Sequence, residues 1–290
     1  MATNTPFGQR LGLVLEGGAM RGIYTAGVLD VFLEVGIMPD VVVGVSAGAL
    51  HGCSYVAGQK GRSIRYYRKY RSDKHFMGLY SLLTTGDVVG TKFCYEDIPL
   101  RLDPFDEAAF EKAPVDFYVT VTNVRTGKPE YILCDELKVG SKMDVIRAGA
   151  SMPLCSKMVE WNGNLYLDGG VSDSIPYAKM KDFGCRKSIV VLTQPAGYLK
   201  QPAAMAPFEA MYRKYPAFVE AMRGRDQMYN TEVCAVEQAA KQGDAFLIRP
   251  SKLLHVGRME HDIEVLNAQY KLGRQDARNQ MDAMREWMER

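Results

Sequence analysis

Hydrophobic residues along this chain fall in short unbroken runs more often than in alternation with polar ones. "LGLVLE" (11–16), "VVVGVS" (41–46) and "SIVVLTQP" (188–195) are runs of this kind. Strands without polar alternation are buried on both faces, as in a parallel sheet covered by helices. Between the first two lies "RGIYTAGVLDVFLEVGI", rich in helix formers, with apolar residues around most of its circumference. Strand, helix and strand in that order make a βαβ unit. A second helix is predicted from about Ala47 to Ala57. "FYVTVTNV" (117–124) and "EYILC" (130–134) predict a hairpin around Thr126-Gly127-Lys128, and "MVEWNGNLYLDGG" (158–170) another turning at Asn162-Gly163.

From Gln201 to Gln242 the pattern is helical, interrupted by Pro202, Pro207 and Pro216, and "AFLIRP" (245–250) predicts the last strand. Ile263, Leu266, Tyr270, Ala277, Met281, Met284 and Met288 then form a helical stripe. No internal repeat or low-complexity linker appears. The pattern predicts one α/β domain over 1–290 with a mostly parallel sheet.

Composition narrows the class. At 290 residues and 47% hydrophobic, the chain is long enough to bury roughly three quarters of its unfolded surface. A net charge of +2 with 24% charged residues implies neither a disordered tail nor a nucleic-acid stripe. The N-terminus, "MATNTPFGQR", shows no secretory signal, and no apolar segment approaches the roughly 18 residues of a membrane span. Cys53, Cys94, Cys134, Cys155, Cys185 and Cys234 are scattered without a CxxC pair. They read as reduced thiols of a cytoplasmic protein, with no metal site.

Three glycine-bearing turns carry the candidate chemistry. In "LEGGAMRG", Gly17, Gly18 and Gly22 stand between a strand and a helix, where backbone N–H groups point outward and bind anions. Its spacing fits neither a dinucleotide fingerprint nor a P-loop. In the second turn, Gly44-Val45-Ser46-Ala47-Gly48, a buried strand runs in and a helix runs out, the context a nucleophile elbow requires. The third, "YLDGGVSDSIP", ends a hairpin strand on Asp168, followed by Gly169-Gly170. A serine hydroxyl needs a base to take its proton, and the oxyanion it creates needs preorganised donors. Ser46, Asp168 and the Gly17-Gly18 turn offer one each, and all three lie at strand ends, where open α/β sheets collect ligands.

Most serine hydrolases relay the proton through histidine. His51 lies about 140° around its helix from Ser46 and should point away. His75 sits in a polar stretch. His255 and His261 follow the last strand, where an α/β-hydrolase carries its histidine. An elbow on the second strand, one strand after a glycine-rich turn, argues instead for a Ser-Asp dyad. A histidine-dependent hydrolase or acyltransferase and a non-catalytic anion-binding protein stay open at this point.

"GGAMRG", "GVSAG" and "DGG", in that order, resemble the patatin-like phospholipases. The likeness extends to "IRAGASMPLCS" (146–156) and covers roughly 11–195, while 196–290 resembles bacterial members more loosely. It implies a three-layer α/β/α fold with a mostly parallel central sheet and hydrolysis of lipid esters through an acyl-enzyme, with no cofactor. Carried over by motif, Ser46 is the nucleophile and Asp168 the proton acceptor. Gly17, Gly18, Ala19, Met20, Arg21 and Gly22 line the oxyanion hole, Gly44 and Gly48 flank the elbow, and Gly169 and Gly170 complete the aspartate turn. One position departs: the family usually has a third glycine where this chain has Ala19. An aspartate of ordinary pKa, about 3.9, is a weak base, so the site is expected to be desolvated.

Two stretches bear on substrate access. Residues 61–83 mix Arg62, Arg65, Arg68, Lys69, Arg71 and Lys74 with Tyr66, Tyr67 and Tyr70. That mixture suits peripheral contact with an anionic membrane, or else a solvated helix face with its tyrosines packed inward. Residues 206–225 read as a lid over an acyl pocket or as a kinked helix pair closing the sheet.

Overall fold

The apolar runs become the centre of an eight-stranded sheet in a computed structural model that describes residues 6–290. The first five residues of the N-terminal stretch discussed above lie outside the described residues. In chain order the elements begin β1 (Arg10–Leu15), α1 (Ile23–Val35), β2 (Val41–Val45), α2 (Ala47–Val56), α3 (Arg62–Tyr70) and α4 (Leu79–Thr85). A π-helical segment (Phe93–Leu102) and α5 (Glu107–Lys112) lead to β3 (Asp116–Asn123), β4 (Pro129–Leu133), α6 (Lys142–Gly149), β5 (Val159–Trp161), β6 (Asn164–Asp168) and β7 (Cys185–Val191). The remainder is α7 (Ala206–Met211), α8 (Pro216–Arg223), α9 (Arg225–Gln242), β8 (Ala245–Ile248), α10 (Ile263–Asn279) and α11 (Met281–Glu289).

The strand order is β5-β6-β3-β2-β1-β7-β8, with β4 paired to β3. The run from β3 to β8 is parallel, and β4, β5 and β6 are antiparallel additions. Side chains along the central strands alternate between two cores. Leu13, Leu15, Val42, Ile189 and Val191 join one, with α1, α2 and α6. Val14, Val41, Val43, Val190 and Leu192 join the other, with Tyr229, Val236 and Ala239 of α9. Burial on both faces is why these strands lack polar alternation. The fold is therefore α/β with a mostly parallel central sheet.

The C-terminal stripe is seated on the first crossover. Tyr270 of α10 donates to Asp30 of α1 (2.5 Å), and Tyr24 of α1 donates to Asp276 of α10 (3.1 Å). Both hairpins form, the second through Asn162 and Gly163 at φ 46° and 73°, the left-handed pair of a tight two-residue turn.

Boundaries move where side chains compete for the backbone. β7 begins at Cys185 and ends at Val191, ahead of the expected 188–195, because the Thr193 N–H turns to the Glu16 carboxylate (2.6 Å). The helical reading from Gln201 starts only at Ala206, with Pro207 in the first turn of α7 and Pro216 opening α8. These prolines sit where a missing N–H costs nothing. Residues 206–225 form a kinked helix pair with Tyr212, Phe218, Val219 and Met222 buried beside Leu167 and Val171.

Candidate active site

Strand register brings the site together. β2 runs parallel to β3 and ends with Val45 opposite Thr120. β6 runs antiparallel to β3 and ends with Asp168 opposite Val121. The two strands run toward each other and stop at adjacent positions of β3. The residue after Val45 is Ser46, and its Oγ donates to Asp168 Oδ2 at 2.6 Å. The chain turns there with Ser46 at φ 53°, ψ −123°, a conformation costing a non-glycine residue about 1–3 kcal/mol. Glycines let the neighbours close in. A Cβ on Gly17 would lie 2.7 Å from the Ser46 Cβ, and one on Gly48 would lie 2.3 Å from the Leu15 carbonyl oxygen.

Ser46 and Asp168 are 8% and 6% exposed, so the carboxylate has lost most of its water. Burial raises the Asp168 pKa above the usual carboxylate range. The hydrogen bond from Ser46, the charge of Arg225, the Gly170 N–H (2.8 Å) and the charge of Lys200 oppose that rise without cancelling it. The direction is that of a stronger base.

β1 delivers the third turn beside the second. After Leu15 the chain passes Glu16 and opens a 3₁₀ turn, Ala19–Gly22. The Arg21 N–H is bonded to the Gly18 carbonyl (3.1 Å). The first N–H groups of such a turn have no partner within it, here those of Ala19 and Met20. Ala19 stands at φ 49°, left-handed geometry that glycine adopts freely and alanine does not. That is a physical reason for glycine at this place. The loop is braced from below: Thr193 Oγ1 donates to the Gly17 carbonyl (2.8 Å), and Tyr229 donates to Glu16 (3.0 Å). Burial also raises the pKa of Glu16.

Two cavities meet at this point, both lined by Ala19, Ser46 and Met152. One, of about 110 Å³, is apolar, with Met20, Leu50, Tyr67, Met77, Ile98 and Ile146 among its walls. The other, of about 180 Å³, holds Asp168 and the basic side chains Arg21, Lys200, Arg225 and Arg258. Glu16, Lys200, Arg225 and Arg258 carried no sequence signal, because they come from separate elements and no local spacing ties them to Ser46.

A family model described as patatin-like phospholipase matches residues 13–180. The chain belongs to that family. A second model, described as domain of unknown function DUF6363, matches residues 215–289. "Uncharacterized protein YjjU" of Escherichia coli (strain K12) is 28% identical over 273 residues, 91% of this chain and 75% of that protein. "Lysophospholipase NTE1" of Saccharomyces cerevisiae is 30% identical over 190 residues, 63% of this chain, and "Lysophospholipase nte1" of Aspergillus terreus is 29% identical over 182. The match spans 11% of the length of each of these two lysophospholipases. Among solved structures, VipD from Legionella pneumophila aligns over 96% of this chain and 67% of its own, with TM-score 0.48 and 14% identity.

The residues that carry the patatin-like motifs, from Gly17 to Gly22, Gly44 to Gly48 and Asp168 to Gly170, converge on the two strand ends and the 3₁₀ turn. The histidines do not. His51 is buried against Tyr67 and Gly22 with neither ring nitrogen hydrogen-bonded, and burial pushes its pKa down to about 4. His75, His255 and His261 are exposed, and none lines either cavity. Among the described residues no cluster of His, Cys, Asp or Glu is arranged to hold a metal, and no helix is long and apolar enough to cross a membrane.

Proposed function

We propose that this chain is a serine acyl hydrolase of the phospholipase or lysophospholipase type, working through a Ser46–Asp168 dyad. The observation that carries the reading is the direct 2.6 Å hydrogen bond from a buried, strained serine to a buried carboxylate. Asp168 takes the Ser46 proton as Oγ attacks the ester carbonyl. The resulting oxyanion is met by the N–H groups of the Gly17–Gly22 turn, and collapse expels the alcohol, which receives the proton from Asp168. Water then loses a proton to the same carboxylate and attacks the acyl-enzyme, and collapse breaks the bond to Ser46 Oγ, which takes the proton back from Asp168 as the fatty acid leaves. The apolar cavity suits the acyl chain. The names of the NTE-type relatives favour lysophospholipids as the substrate class.

The same proposal puts the enzyme in the cytoplasm, at a lipid surface. All six thiols are free. Of the basic residues in 61–83, Arg62 and Arg71 are buried, Arg65 pairs with Asp103 and Arg68 is tied to Asn267 of α10 (2.7 Å). The membrane contact is therefore drawn more narrowly, to Lys69, Lys74 and the exposed Leu79, Tyr80 and Leu83 of α4. α4 lies between Met77 and Val89, which pair with each other and line the apolar cavity. Leu79→Glu with Leu83→Glu is expected to reduce co-sedimentation with anionic vesicles severalfold, and unchanged binding would remove α4 from the contact.

Release of fatty acid from a lysophospholipid tests the chemistry. Ser46→Ala and Asp168→Asn should each lower kcat/KM by at least about 10³. Full activity in Asp168→Asn would remove the dyad.

A further inference from the structure

The patatin-like match ends at residue 180, yet three of the four cations in the larger cavity lie beyond it, and two of these, Arg225 and Arg258, belong to the 215–289 segment. Tertiary contacts fix where they stand. Lys200 is clamped to α9 by Asn230, whose side chain accepts from the Lys200 N–H (2.9 Å) and donates to its carbonyl (3.1 Å). Its ammonium lies 4.1 Å from the centre of the Tyr229 ring. Arg225 gives its Nε–H to the Gly170 carbonyl (2.5 Å), which holds the guanidinium against the turn that carries Asp168. Arg21 has a buried Nε with no partner.

Among the described residues none of the four cations has a carboxylate within ion-pair distance. The acids facing them are Glu16 and Asp168, and both already accept bonds from Thr193, Tyr229, Ser46 and Gly170. Four cations around two acids leave the cavity short of negative charge. Desolvation and the neighbouring Arg225 accordingly push the Lys200 pKa down to about 8, and an arriving anion relieves that repulsion.

We propose that this second cavity is an anion subsite that holds a phosphate-bearing headgroup on the alcohol side of the scissile ester, with Lys200, Arg225 and Arg258 as specificity-determining residues. The inference rests on the hydrolase reading for its orientation. With the acyl chain in the apolar cavity and the carbonyl at Ser46, the leaving alcohol extends into the cationic one. Three cations outnumbering the two carboxyls that face them, with none ion-paired among the described residues, favour a headgroup with uncompensated negative charge, such as a phosphomonoester, over a zwitterionic phosphocholine. The segment matched as a domain of unknown function thereby supplies the headgroup wall of the active site.

Binding tests this without turnover. Three ether-linked, non-hydrolysable ligands of one chain length, a 1-alkylglycerol 3-phosphate, its phosphocholine counterpart and the bare 1-alkylglycerol, are titrated calorimetrically into the full chain below their micelle concentrations. The phosphomonoester should bind at least about tenfold tighter than either of the others, since charge-assisted hydrogen bonds are the strong ones. That preference should shrink with added salt. It should fall to within about twofold in Lys200→Gln with Arg258→Gln, and Lys200→Arg should keep it. Melting curves report whether each variant folds, and Arg258→Gln alters only an exposed loop residue. Equal affinity for the three lipids, or a preference undiminished in the double variant, overturns the proposal. Inorganic phosphate binding as tightly as the phosphate lipid overturns the headgroup assignment in favour of a free-anion site. The hydrolase reading fails separately: if the phosphate preference holds but the matching acyl ester is not cleaved, the subsite stands and the chemistry does not.

Discussion

The two cavities that share Ser46 are made differently. The apolar one is walled by α2, α3, the π-helical segment and α6, elements whose side chains were already apolar and packed for the sake of the core, as Ile98, Tyr67 and Ile146 are. The cationic one is walled largely by side chains that cost the fold something to hold: the half-buried Arg21 and Arg225, a lysine with a depressed pKa and two carboxyls with raised ones. Apolar shape comes with folding, whereas charge that no carboxylate ion-pairs beside Ser46 has to be held in place by tertiary contacts, as the Gly170 carbonyl holds Arg225 and Asn230 holds Lys200.

The contrast can be sharpened from the cationic side first. Arg225 lowers the Asp168 pKa and braces the Gly170 carbonyl. Arg225→Met should reduce kcat/KM about tenfold at neutral pH, the scale of a lost charged hydrogen bond. In the proposed mechanism Asp168 works only when deprotonated, and removing a nearby positive charge raises its pKa further. The acid limb of the pH–rate profile should therefore move to higher pH, so that activity suffers more near pH 5 than near pH 9. A profile of unchanged shape would mean that Arg225 does not act through Asp168. On the apolar side, Leu50→Trp should lower the ratio of kcat/KM for long over short acyl esters by about tenfold, the discrimination a few methylenes supply. An unchanged ratio would place the chain elsewhere.

The smallest effect lies between the cavities. Ala19 at φ 49° gives up about 1–2 kcal/mol to its left-handed conformation, and glycine returns less than that in unfolded-state entropy. Ala19→Gly should raise stability by about 0.5 kcal/mol, seen as a rise in Tm of one or two degrees. A fall in Tm would show that the methyl packs well enough to outweigh its strain.

The same contrast explains what the sequence alone reveals. Ser46, Asp168 and the Gly17–Gly22 turn are legible because an elbow, a close approach and an open turn each demand particular residues at fixed local spacing. The inner strands are legible because two-sided burial removes polar alternation, visible in Leu13, Val14 and Leu15 dividing between two cores. The π-helical wall is not, since Phe93–Leu102 carries Pro99 and follows no 3.6-residue period. Nor is the cationic wall: in a chain with 36 Lys and Arg, only tertiary register says that Arg21, Lys200, Arg225 and Arg258 face one space. Desolvation of Asp168, expected on chemical grounds, comes from elements distant in sequence, among them the one placing Arg225 at the Gly170 turn.

The central claim is that Ser46 is activated by Asp168 without a histidine. Its most direct test is intact mass after exposure to a fluorophosphonate, which traps activated serines. One adduct should form on the wild type and on His255→Ala with His261→Ala, and it should be absent from Ser46→Ala and at least severalfold slower on Asp168→Asn. An adduct that disappears with the two histidines, or that forms on Asp168→Asn at the wild-type rate, would contradict it.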